Sequence, residues 1–245
     1  MNLAREESRA PVLAAGAIVV VAAVCWFAVI VQMSKATSMQ MGLGVVQSFI
    51  GIWIVMMAAM MLPSALPFIT GFVKSTSDRR AWPFAAVTLS VTYLVAWVAF
   101  GLVAYFAYGA IRMPWPGQAI AAGVALLAAG LYSFVPLKRA CQVRCQAMCK
   151  DTEHGRQAPV REAVGVGLRY AINCIGCSAG LMIALLIMGM SSLAWMVIVS
   201  AIIVVYKVVP FSTRLETGLA LALVVVGLWL ALGPSTVPMA LMPTS

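Results

Sequence analysis

The stretch REAVGVGLRYAINCIGCSAGLMIALLIMGM, residues 161–190, decides how the rest of the chain is read. It is one apolar run, long enough for a helix across a bilayer, which needs about 20 residues. Its middle carries Asn173, Cys174, Gly176, Cys177 and Ser178. Polar groups at that depth cost free energy unless they find partners. Cys174 and Cys177 are three apart, so a helix sets both on one face. Gly176 and Gly180 form a small-xxx-small pair, which lets a neighbouring helix come close.

Outward from this stretch the chain stays apolar. Of its 245 residues 63% are hydrophobic and only 9% charged, a composition that excludes an ordinary soluble domain. The expectation is an all-α fold, a polytopic bundle of about seven transmembrane helices. These spans fall at about 11–32, 45–73, 83–111, 117–137, 163–189, 192–209 and 215–232. The apolar run of the first is too long for a cleaved signal peptide, so it reads as a retained helix. No internal repeat or low-complexity tract interrupts the chain, and 1–245 reads as a single integral membrane domain. The exception to the apolar pattern is 138–163, a polar segment with three cysteines and the sole histidine, His154, which reads as solvated.

Charge orients the bundle. The N-terminus, 74–82, 138–163 and 207–214 carry Arg5, Arg9, Lys74, Arg79, Arg80, Lys138, Arg139, Arg144, Lys150, Arg156, Arg161, Lys207 and Arg214. The opposite side has Lys35 and Arg112. Such a bias predicts a cytoplasmic N-terminus, an outside C-terminus and a cytoplasmic 138–163, where thiols stay reduced. The net charge of +9 lies between apolar runs, so it predicts contact with the lipid bilayer and no nucleic acid.

Six cysteines and sixteen methionines stand out. The second span contains Met56, Met57, Met60 and Met61 just before Pro63, and Pro63 and Pro67 predict a kink there. Met60 lies twelve residues before Phe72, and Cys174 lies twelve residues after Glu162. Each is therefore about 18 Å from the cytoplasmic end of its span, at one membrane level. Soft thiolate and thioether ligands without His or carboxylate select Cu(I) over Zn, Mg or Ca. The candidate metal ligands are Met57, Met60, Met61, Cys174 and Cys177. Packing methionines and small apolar cysteines are the plain alternative.

A second set of metal ligands is Cys141, Cys145 and Cys149, a drifting stripe if the segment is helical. Lys138, Arg139 and Arg144 nearby favour the thiolate. The spacing is not that of a zinc ribbon. Cys25 reads as filler, and Asn173 as a cross-helix hydrogen-bonding group or a support for the thiols. No acidic residue lies in the interior of an apolar run, which argues against a proton-driven antiporter. No phosphate loop or metalloprotease motif is present, and no enzyme activity is expected.

These motifs carry a resemblance. Trp53-x-x-Met56-x-x-Ala59-Met60-Met61-Leu62-Pro63-Ser64 is followed by Tyr132 and Lys138-x-x-Cys141-x-x-x-Cys145. Then come Gly165-x-Gly167-x-Arg169-Tyr170-x-x-x-Cys174-x-Gly176-Cys177, Leu181-Met182, Gly189-Met190, Trp195-Met196 and Lys207. Over about 50–210 the chain resembles the bacterial family of predicted metal-binding integral membrane proteins, sometimes labelled copper chaperones. The resemblance implies a multi-pass protein of the bacterial inner membrane that handles copper. The family commonly has Cys and Trp where Ser178 and Ala179 stand, Asn at Ser191 and Glu at Tyr206. The Ser178 difference removes a thiol, and the Tyr206 difference removes an ionisable partner for Lys207.

Three functions follow from the sequence. One is a Cu(I)-binding membrane protein that passes copper to a membrane cuproenzyme. Another is a structural or assembly subunit of a larger membrane complex. A third, a thiol–disulfide relay through Cys174 and Cys177, is disfavoured because a pair on one rigid helix is not set up to exchange with outside partners.

Overall fold

The computed structural model describes residues 10–36, 46–75, 82–110, 118–151, 160–188, 193–208 and 213–232. His154 lies outside them. The described residues form eight helices and no strand: α1 Ala10–Ala36, α2 Val46–Ser75, α3 Trp82–Ala110, α4 Gln118–Tyr132, α5 Pro136–Asp151, α6 Val160–Met188, α7 Leu193–Val208 and α8 Thr213–Leu232. In a bilayer a helix satisfies its own backbone, so apolar segments without breakers fold this way.

Among the described residues α1, α2, α3 and α6 are long and apolar enough to cross a membrane. A fifth crossing results if α4 and α5 act together, although they bend by 69° at their junction. The apolar parts of α7 and α8, Leu193–Val205 and Ala220–Trp229, are shorter. Large aliphatic and aromatic side chains such as Phe27, Phe84, Val103 and Phe106 face outward, as lipid contact demands. The whole fits a multi-pass membrane protein.

The fourth predicted span, 117–137, is where sequence and structure differ most. The helix stops at Tyr132 and a new one begins at Pro136. Pro136 has no amide hydrogen to donate and disfavours the helical conformation of the residue before it. The last turn of α4 tightens instead, with Ser133 N donating to Gly130 O at 3.0 Å, and Phe134 N to Leu131 O at 3.0 Å. Lys138 N then donates to Val135 O at 3.1 Å and opens α5.

The helices group into two compact units, and the divide falls inside α1, α3, α5 and α6. In the first unit are α1 up to Val31, α2, α3 up to Leu102, α5 from Arg144, and α6 up to Ile175. At its centre is α2, where every residue from Met56 to Leu62 is buried. Trp53 Nε1 donates to the Trp97 carbonyl at 3.0 Å, and the indole fills the space beside Gly101. Both prolines lie within the unbroken α2. Next to them Ser64 Oγ donates to Met61 O at 2.8 Å and Thr70 Oγ1 to Leu66 O at 2.8 Å.

The second unit contains the end of α1 from Gln32, the remainder of α3, α4, the start of α5, the end of α6, α7 and α8. Its tightest contact joins α4 to α8 through small residues. A methyl group on Gly123 would lie 2.6 Å from Ala231 N, and one on Gly227 would lie 2.7 Å from Leu127 N. Close backbone approach of this kind is how helices associate where lipid removes the hydrophobic drive.

Candidate metal centre

In the first unit α2, α3 and α6 converge. Tyr170 of α6 stacks on Phe68 of α2, with ring centroids 3.9 Å apart and planes 5° from parallel. The second and fifth predicted spans are therefore neighbours. Tyr93 of α3 packs beside Tyr170 at 5.7 Å, and its hydroxyl lies 3.1 Å from Cys174 Sγ. Leu89 and Thr92 border Gly167, one turn before Tyr170. Later residues of α3 thus meet later residues of α6, so these two helices run parallel. Phe68 of α2 lies beside Tyr170 and, with it, Tyr93, whereas Trp53, earlier in α2, reaches Trp97, later in α3, so α2 runs antiparallel to both.

This arrangement fixes the level of Cys174 on α2 by two routes. From the Phe68–Tyr170 stack, one turn along α6 reaches Cys174 and one turn back along α2 reaches Ser64. From the Trp53–Trp97 hydrogen bond, one turn back along α3 reaches Tyr93, which touches Cys174, and one turn on along α2 reaches Met57. Ser64 and Met57 bracket Met60 and Met61. A turn is about 5.4 Å, so the Met cluster and Cys174 share a level within roughly one turn. Cys174, Met57, Met60 and Met61 all have 0% exposure. Met56 is buried with them at 1%. All five side chains are closed off from the surface.

The glycine face of α6 plays a different part from the one expected. Within the second unit a methyl group on Gly176 would lie 2.6 Å from Cys141 Sγ, and one on Gly180 would lie 3.3 Å from Ala129 Cα. The small residues admit α5 and α4. Cys177 also belongs to the second unit; it is half-buried, with Sγ 3.5 Å from Ser178 Oγ.

Up to Asp151 the polar segment is helical, as α5, and Cys145 points inward. Lys138, Gln142 and Cys145 are buried, while Cys141, Met148 and Cys149 are half-buried. Leu137, Arg139, Val143 and Arg144 form the exposed face. Asn173 Nδ2 donates to Arg169 O at 2.8 Å and approaches Met148 Sδ at 3.8 Å. Lys138 Nζ donates to Ser133 Oγ. Gln142 Oε1 is buried and, among the described residues, accepts no hydrogen bond. No group of three His, Cys, Asp or Glu side chains comes together among the described residues, so Cys141, Cys145 and Cys149 do not close on one point. A soft site here must draw on methionine or on thiols from different helices.

Tyr93 and Phe68 escaped the sequence reading, and Tyr170 entered it only as part of a motif, with no role. An aromatic residue in an apolar helix carries no signal of its own, although Tyr170 is four before Cys174 and so shares its face.

The residues that define these contacts coincide with a family model for a copper chaperone, described as PpoB2, which matches residues 50–230. The chain belongs to this copper-chaperone family. The matched region runs from α2 to within α8 and includes every candidate ligand named above. No curated protein and no solved structure matches the chain.

Proposed function

We propose that the protein is a membrane-embedded Cu(I) carrier whose cargo site is formed by Met57, Met60 and Met61 of α2 with Cys174 of α6. The observation that supports this most is the full burial of those four residues on two helices joined by the Phe68–Tyr170 stack. Thioethers and one thiolate form a soft shell that prefers Cu(I). One thiolate with one Cu(I) is neutral, so the loaded site adds no net charge to a dry interior, where an uncompensated charge is costly. Tyr93 O–H donates to the thiolate and restrains its orientation. The family label of copper chaperone supports cargo transfer over catalysis.

In this reading the chain crosses the bacterial inner membrane seven times with its N-terminus in the cytoplasm. It releases copper to a membrane cuproenzyme or to another membrane complex.

The test is the copper content of detergent-purified protein under reducing conditions. Wild type should retain copper. Cys174→Ser, and the triple change of Met57, Met60 and Met61 to Leu, should each lower it. Copper-free wild-type protein that co-purifies with stoichiometric partners would instead make this chain an assembly subunit.

A further inference from the structure

We propose that Cys141 of α5 and Cys177 of α6 form a second, two-coordinate Cu(I) site inside the second unit. Taken alone, the sequence groups Cys141 with Cys145 and Cys149, and Cys177 with Cys174. The fold regroups them. Cys141 Sγ sits against Gly176, so close that even a methyl group there would collide with it at 2.6 Å. Cys177 is the next residue of α6. Tyr132 spans both: its hydroxyl donates to the Gly176 carbonyl at 2.7 Å and lies within electrostatic range of the Cys141 and Cys177 thiols. Gly176 is thus the clearance that lets α5 bring its thiol to α6.

The chemistry of the pair selects the ion. Zinc takes four ligands in its structural sites, and no third His, Cys, Asp or Glu joins these two thiols among the described residues. Two thiolates are a soft pair suited to Cu(I). Binding releases two thiol protons and leaves a bis-thiolate complex of net charge −1. The same inward face of α5 carries a balancing charge. Lys138 is buried one turn before Cys141, at 3% exposure, with its ammonium donating to Ser133 Oγ. Residues three apart on a helix have Cβ atoms about 5–6 Å from each other, so Lys138 and Cys141 share one face of α5.

This inference rests on the copper reading above but uses different residues, so the two fail separately. The experiment is a titration of the full chain in detergent with Cu(I), against a competing chelator under reducing conditions. Cys141→Ser and Cys177→Ser should each remove one copper equivalent, and the double change should remove no more than either alone. Gly176→Ala should weaken that equivalent by pressing on Cys141. Cys174→Ser should leave it in place. Full stoichiometry in both single variants overturns the proposal, as does a loss in only one. Wild-type protein that binds no copper overturns it together with the function proposed above. A fold-independent check uses wild-type protein and dibromobimane, which joins neighbouring thiols. Mass spectrometry should find Cys141 linked to Cys177, and linkage confined to other cysteine pairs contradicts the site.

Discussion

The Tyr93 hydroxyl lies 3.1 Å from Cys174 Sγ, joining α3 to α6 at the level of the α2 methionines. Both residues are buried, at 2% and 0% exposure. A phenol here donates to a thiolate better than to a thiol, so the contact strengthens when cargo binds. Tyr93→Phe keeps the packing and removes the donor. Cu(I) affinity should fall by about tenfold or more, as for loss of an outer hydrogen bond to a metal ligand. Chelator competition measures it, and an unchanged affinity would remove Tyr93 from the site.

The Phe68–Tyr170 stack joins α2 to α6. Phe68→Ala should destabilise the fold by about 3 kcal/mol, through the lost contacts and the cavity left behind. A double-mutant cycle with Tyr170→Ala should show coupling of about 0.5–1.5 kcal/mol. Reversible unfolding in detergent provides the measurement. Additive effects would mean that the rings merely sit near each other.

The α4–α8 contact admits no side chain at Gly123. Gly123→Leu should lower the folded yield and the thermal midpoint sharply. Gly51→Ala and Gly16→Ala, where a methyl group meets nothing within 4 Å, serve as controls and should fold as wild type. Equal behaviour of all three variants would deny that small residues bring these helices together.

Topology can be read with a reporter fused after Ser245 and with a thiol reagent that does not cross membranes. With seven crossings the reporter is outside, and Cys149, half-buried near the end of α5, reacts only after the membrane is opened. A cytoplasmic reporter would change the number of crossings by one. The helices to re-examine first would be α7, with 16 residues rising about 24 Å, and the bent α4–α5 pair.

Much of the helical layout was legible because long apolar runs have few alternatives in lipid. The run expected at 163–189 is the helix Val160–Met188, and the one expected at 45–73 is Val46–Ser75. What could not be read was partnership. That the second and fifth spans are neighbours shows in the Phe68–Tyr170 stack, which no spacing along the chain announces. Pro136 ends α4 by removing a donor, and the polar helix after it turns Lys138, Gln142 and Cys145 inward. A polar stripe reads as solvated unless the packing against it is known. Cys141 likewise meets Gly176 across the fold, and no spacing along the chain announces that contact.

X-ray absorption at the copper edge of the loaded protein tests the central claim most directly. The Cys141→Ser/Cys177→Ser variant is the sample of choice, because it leaves the site of Met57, Met60, Met61 and Cys174 alone. The account predicts a Cu(I) edge and a first shell of sulfur only, at about 2.3 Å on the scale of metal–thiolate bonds. Adding Cys174→Ser should abolish that signal. A shell of nitrogen or oxygen, or a sulfur shell that survives without Cys174, would contradict it.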